Sequence, residues 1–127
     1  MMEIVIEIED PTPLFTQLVE QIKNAVKDEK IKPGDALPSI RQLANDLEIN
    51  SKTVAKAYRL LERDSVIQAK GYRGTFIHQN AIENCAFDIN RWITTQLEES
   101  VALLKKSGAT DSEIRIAFTQ VMNNNKH

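Results

Sequence analysis

Between Leu37 and Asp64 the chain reads LPSIRQLANDLEINSKTVAKAYRLLERD, two short amphipathic stretches separated by three residues. Ser39 is placed to cap the first helix, with Gln42 reaching back to complete a capping box. Pro38 forbids an earlier start. Leu43, Ala44 and Leu47 then form an apolar stripe at helical spacing. Glu48, Ile49 and Asn50 make the turn, with Ile49 as the apolar plug. Asn50 or Ser51 caps the second helix, whose buried face is Val54, Ala57, Tyr58 and Leu61. The pattern is that of a helix-turn-helix.

The outward face of the second helix carries the chemistry. Its first turn offers Ser51, Lys52 and Thr53, followed by Lys56 and Arg59, and no acid appears before Glu62. A helix that enters the major groove meets base edges with its N-terminal residues, where free N–H groups and the positive dipole end favour phosphate. Small hydroxyls allow close approach, and lysine reaches phosphate or guanine. The net charge of −2 is unevenly spread. Residues 1–22 hold five acids and no base, residues 23–78 eleven Lys/Arg against seven Asp/Glu, and residues 79–127 five against six. The positive segment is the one with the helix pair, which is the electrostatic footprint of a nucleic-acid binder.

Around this pair the other elements fall in order. Glu3 to Glu9 alternates, with Ile4, Ile6 and Ile8 on one side, as expected for a half-buried strand closed by Pro11 and Pro13. Pro13 opens a helix through about Lys30 with Leu14, Leu18, Ile22, Ala25 and Val26 buried. Ile31 to Leu37 is a connector that reverses at Pro33-Gly34. Val66–Lys70 and Thr75–Ile77 flank Gly71-Tyr72-Arg73-Gly74, a hairpin with a basic tip. Directly after a helix-turn-helix, such a hairpin is the wing of a winged helix. Lys70 and Arg73 there reach toward phosphate or the minor groove, and Tyr72 either stacks or packs locally.

From Ile82 to about Lys106 a single long helix is expected, about 37 Å in length. Gly108 stops it, and Thr110 with Glu113 caps a last helix bearing Ile114, Ala117, Phe118, Val121 and Met122. Asn123 to His127 reads as a frayed tail. The long helix outruns the short one, so its apolar face needs a cover. The simplest is a second copy of the chain, with Ile89, Trp92, Ile93, Leu97, Val101 and Phe118 at a two-fold interface. The expected architecture is mainly α with a small β hairpin: a winged helix-turn-helix domain over residues 1–78 and a two-helix dimerisation tail over 79–127.

The remaining classes are weaker. No apolar run is long enough to span a membrane, the acidic N-terminus lacks the features of a secretion signal, and a lone cysteine, Cys85, fits a reducing cytoplasm. His78, His127 and Cys85 are scattered, with no zinc-ligand spacing, nucleophile motif or phosphate loop. No enzyme and no cofactor is expected. A winged helix that docks a protein partner is the alternative, against which the lysines of the exposed face argue.

Pro13-Leu14-Phe15-Thr16-Gln17-Leu18 and Lys32-Pro33-Gly34-Asp35-Ala36-Leu37-Pro38-Ser39-Ile40-Arg41-Gln42-Leu43-Ala44 resemble the start of the GntR family of bacterial transcription regulators. Ile49 to Tyr58, Leu61-Glu62 and Gly74-Thr75-Phe76-Ile77 continue that pattern, and the short two-helix tail is similar to the YtrA subfamily. The resemblance implies a dimeric repressor on a palindromic double-stranded DNA operator, its two recognition helices about 34–36 Å apart. It also implies control of a transporter operon. By the same resemblance, DNA contacts fall on Arg41, on Ser51, Lys52 and Thr53, and on Gly74 with its basic neighbours. Any small-molecule effector has to bind at the dimer interface or between head and tail, since this branch lacks a separate ligand domain. The chain departs from the family at Lys30 and Ser65, where glycine is usual, and at the wing, where Gly71 precedes Tyr72 in the usual first glycine position.

Overall fold

The computed structural model describes residues 3–124. The elements are α1 (Leu14–Lys27), β1 (Ala36–Leu37), α2 (Ile40–Leu47), α3 (Ser51–Arg63), β2 (Ile67–Ala69), β3 (Thr75–Ile77), α4 (Ala81–Cys85), α5 (Ile89–Lys106) and α6 (Asp111–Asn124). The chain forms two compact units that part between Phe87 and Asp88. α1 to α4 and the three strands make the first, here called the head. α5 and α6 belong to the second, the tail.

The head is built on α3. Val54, Ala57, Tyr58 and Leu61 turn inward to meet Leu18, Ile22 and Val26 of α1, while Leu43 and Ala44 close the core from α2. The three strands form an antiparallel sheet in the order β1-β3-β2, with Ala36 opposite Phe76 and Ile67 opposite Ile77. The connector expected at residues 31–37 therefore ends in a strand. Two residues are too few for a period-2 signal, and β1 is fixed from outside, by the Gly34 N–H donating to Ile77 O and the Ile77 N–H to Asp35 O, each at 2.8 Å.

Two further expectations are corrected. The segment from Glu3 to Glu9 turns after Glu7 and pairs with no strand among the described residues. Its backbone partners are side chains of α1: Gln21 accepts from the Val5 N–H (2.9 Å) and donates to Val5 O (2.6 Å). Gln17 accepts from the Glu7 N–H (2.9 Å) and donates to Glu7 O (3.0 Å) and Thr12 O (2.9 Å). Residues two apart on an extended chain and four apart on a helix are separated by nearly the same distance, about 6 Å. Two amides thus do the work of a strand edge. Ile4 and Ile6 pack against the core, while the turn closed by Asp10 N–H on Glu7 O leaves Ile8 exposed.

The single helix expected over 82–106 is broken at Ala86-Phe87. The Asp88 carboxylate accepts from the Arg91 N–H at 3.2 Å and starts α5 anew. Upstream, Ala81 and Cys85 sink into the head's core, and Asn84 donates to Ser65 O at 2.7 Å. α4 belongs to the head for that reason, and the division expected after residue 78 lies further along. α5 is 18 residues, about 27 Å. Thr110 and Glu113 complete the reciprocal box at the start of α6. α6 runs through Asn123 and Asn124, where fraying was expected; residues 125–127, and with them His127, lie outside the described residues.

The helix ends share one device. After α1, α2 and α3 a residue turns left-handed: Glu29 (φ 58°), Glu48 (φ 57°) and Ser65 (φ 56°). Around each, consecutive N–H groups fold back on the last turn, as in Ile49 to Ala44 O at 3.0 Å and Val66 to Leu61 O at 2.9 Å. Glycine suits that conformation because it has no Cβ to collide with the following carbonyl. Among the described helix ends only that of α5 has it, at Gly108 (φ 102°). Ser65 accordingly bears the strain of its departure from the family's glycine, whereas at the first departure the strained residue is Glu29, one before Lys30. Glu48→Gly and Ser65→Gly are each expected to stabilise the head by about 0.5–1 kcal/mol, seen as a higher urea midpoint at unchanged slope. Ser65→Val should lower it.

Candidate nucleic-acid interface

Asn50 starts α3 with its Oδ1 accepting the Lys52 N–H at 2.8 Å, which resolves the choice of cap in favour of Asn50. Ser39 Oγ likewise takes the Gln42 N–H at 3.1 Å at the start of α2. With both helix starts fixed, Arg41 stands exposed in the first turn of α2, and Ser51 and Lys52 stand exposed in the first turn of α3. Thr53 is half-buried beside them. Arg41 and Ser51 line one open groove of about 560 Å³, together with Ile40, Ala44, Asn45 and Ile49. Asn45 was not singled out from the sequence. The signal was available: Arg41 and Asn45 are four apart on a helix and so share a face.

A hydrogen bond across the core ties this face to the helix before it. Tyr58 Oη donates to Pro38 O at 2.7 Å, joining α3 to the residue that precedes the α2 cap. Burial pushes the Tyr58 phenol up to about 12. At the far end of α3, Asp64 accepts from Lys23 (3.0 Å) and Arg63 (2.8 Å). Burial alone would raise the Asp64 carboxyl, but the hydrogen bonds and charges of those two cations outweigh it and hold it below the usual carboxylate range.

The remaining candidates differ in posture. Lys56 is exposed, yet its ammonium lies 3.9 Å from the centre of the Phe15 ring, and Lys70 sits 5.2 Å from that of Phe76. Cations over ring faces are held by the ring quadrupole, so these two charges are presented from the flanks of the face. The wing tip is a single tight turn over Gly71–Arg73, closed by Lys70 N–H on Gly74 O at 2.8 Å. Gly71 (φ 61°) and Gly74 (φ 105°) supply conformations that side chains resist. Between them Tyr72 is 97% exposed and packs on nothing, and Arg73 is exposed beside it.

Two of the groups considered for catalysis, Cys85 and His78, have structural uses. Cys85 is 3% exposed and burial pushes its thiol up. His78 Nδ1 accepts the Asn80 N–H at 3.0 Å. Among the described residues no group of His, Cys, Asp and Glu could hold a metal ion, and no helix is long and apolar enough to cross a membrane.

A helix pair with a basic, groove-bearing outer face and a glycine-bracketed wing defines a winged helix-turn-helix of the DNA-binding type. The family model for bacterial regulatory proteins of the gntR family matches residues 14–77, and the chain belongs to that family. It is a YtrA-like GntR transcription regulator. It is 44% identical over 70 residues to the HTH-type transcriptional repressor YtrA of Bacillus subtilis, a match covering 55% of this chain and 54% of that one, so it spans about half the length of that relative. A transcriptional regulator from Oenococcus oeni is 35% identical, with 93% of this chain and 98% of that one covered at a TM-score of 0.59. YtrA of Sulfolobus acidocaldarius, a GntR-family transcription factor, is 30% identical with 78% and 97% covered at a TM-score of 0.60. GntR regulators bind DNA and are not enzymes.

Because Tyr58 loses its proton less readily in the fold than in the open chain, folding is favoured fully below pH 10 and less as pH rises through 10 to 12. Tyr58→Phe should remove that alkaline loss. It should also destabilise the protein at pH 7 by about 1 kcal/mol, since Pro38 O loses its donor. Urea titrations across pH check both.

Proposed function

We propose that the chain acts as a homodimeric repressor that binds a two-fold-symmetric operator through the face described above. The observation that carries the reading is the shared groove of Arg41 and Ser51, with Lys52 exposed in the first turn of α3 beside it. Arg41 grips backbone phosphate. Ser51, Lys52 and Thr53 meet base edges at the floor of the major groove. Lys56 adds a phosphate contact from the side, while Lys70, Tyr72, Arg73 and Gly74 carry the wing to the adjoining minor groove. The setting is the cytoplasm. Repression follows the role of the Bacillus relative, a transcriptional repressor, and control of a transporter operon rests on the YtrA likeness alone.

Dimerisation is supported by the tail's own surface. α5 and α6 contain no buried residue; Trp92, Ile93, Leu97 and Phe118 are exposed, and Ile89 and Val101 are only partly covered. A soluble monomer seldom leaves so many large apolar side chains on one pair of helices. A second copy of the pair covers them, and a dimer then carries two reading faces, one for each half of a symmetric operator.

Two experiments test this. The double variant Lys52→Glu/Arg41→Ala should lower affinity for the DNA upstream of the chain's own gene at least a hundredfold with unchanged helicity; intact affinity means this face is not the reader. Leu97→Glu should halve the mass in solution and weaken operator binding by more than tenfold. A dimer of unaltered strength would show that the interface lies elsewhere.

A further inference from the structure

The side of α2 that faces away from the Arg41 groove borders a second cavity, of about 570 Å³. Its floor is apolar, formed by Ile4 of the N-terminal segment, Ile31, Leu37, Pro38, and Leu43 and Leu47 of α2. Around the mouth stand three carboxylates, Glu3, Asp35 and Asp46, against one cation, Lys30. The ion pairs among the described residues join Lys23 and Arg63 to Asp64, and Lys105 to Asp111. None neutralises a carboxylate at this mouth. Asp35 spends one oxygen on the Lys32 N–H at 2.9 Å and keeps the other. The size is that of a small-molecule site, roughly 300–1,000 Å³.

Charge and floor together select the occupant. A negative rim over an apolar base repels phosphates, carboxylates and nucleotides and attracts a cation that carries its own apolar body. We propose that this cavity, which lies within the head and not at the dimer interface or between head and tail where an effector was expected, is a binding site for a small amphipathic organic cation, and that its occupancy alters the affinity of the head for DNA.

The route to the DNA face is short. α2 separates the two concavities, turning Gln42, Leu43, Asp46 and Leu47 to this one and Arg41, Ala44 and Asn45 to the other. Pro38 lines the cavity, and its carbonyl accepts the Tyr58 hydroxyl of α3. An occupant wedged between the N-terminal segment and α2 therefore bears on both helices that carry the proposed DNA contacts. By linkage, DNA must in turn alter the cation's affinity by the same factor. The second half of the proposal rests on the DNA-binding reading given above.

Calorimetry on the full chain with hexyl-, octyl- and decylammonium chloride below their micelle concentrations tests the site without DNA. The expected result is saturable binding at one cation per chain that tightens with chain length. Octyl sulfate and octanol should bind at least tenfold more weakly. Asp46→Lys should weaken octylammonium at least tenfold with the fold intact by circular dichroism, and Asp46→Glu should restore it. No saturable heat, equal uptake of octyl sulfate, or full binding by Asp46→Lys would overturn the site. Saturating octylammonium should then change operator affinity at least fivefold. A protein that binds its operator equally with and without the cation overturns the effector role. One that binds no DNA at all overturns the operator reading, while the calorimetry still judges the cavity.

Discussion

Everything the head does depends on how α3 is rotated, and that is fixed by its contact with α1. Leu18, Ile22 and Val26 on one side and Val54, Ala57 and Leu61 on the other are sealed from solvent. Burying a large aliphatic side chain of this kind is worth about 1.5–3 kcal/mol, so turning α3 by even one residue would forfeit several such contributions at once. With the inner face held, Ser51, Lys52, Lys56 and Arg59 have only the outside left. The reading face is thus a consequence of core packing, and its polar residues need contribute nothing to stability.

The polar contacts then adjust what the core has fixed. The Tyr58 to Pro38 hydrogen bond sets the distance between α3 and the start of α2, and with it the width of the groove that Arg41 and Ser51 share. Lys23 and Asp64 clamp the other end of α3 to α1. Non-glycine residues at the three left-handed helix ends leave the head less stable than its topology permits, as is common where selection stops at sufficiency. A head so arranged has a rigid centre and tunable edges, and both concavities beside α2 lie at the edges.

Much of this was legible in the residues, for stated reasons. α3 announces itself by the period of Val54, Ala57, Tyr58 and Leu61, and both helix starts by capping residues whose hydrogen bonds the structure contains. The wing is legible through Gly71, Gly74 and the short β-prone runs beside them. What escaped was whatever depends on a partner distant in the chain. The alternation of Ile4, Ile6 and Ile8 indicates an extended segment but does not say that Gln17 and Gln21 will pair it. The apolar period runs unbroken through Cys85, Ala86 and Ile89, yet the stretch divides. Ala81 and Cys85 serve the head's core, and Asp88 is a stronger helix start than a helix interior. Arg41 drew notice through the family likeness rather than through any pattern of its own. A single exposed arginine has no meaning until the turn between α2 and α3 brings Ser51 beside it.

The most direct test of the account is the salt dependence of binding to the DNA upstream of the chain's own gene, with mass in solution measured on the same samples. A dimer that presents Arg41, Lys52, Lys56, Lys70 and Arg73 from each subunit should show log K falling with log salt at a slope steeper than about −4, approaching −9 if every cation meets a phosphate. It should also prefer that DNA over random sequence at every salt concentration. A slope near zero, or binding by a monomer, would contradict the account: the first would remove the basic face from the interface, and the second would remove the two-fold symmetry on which the operator reading is built.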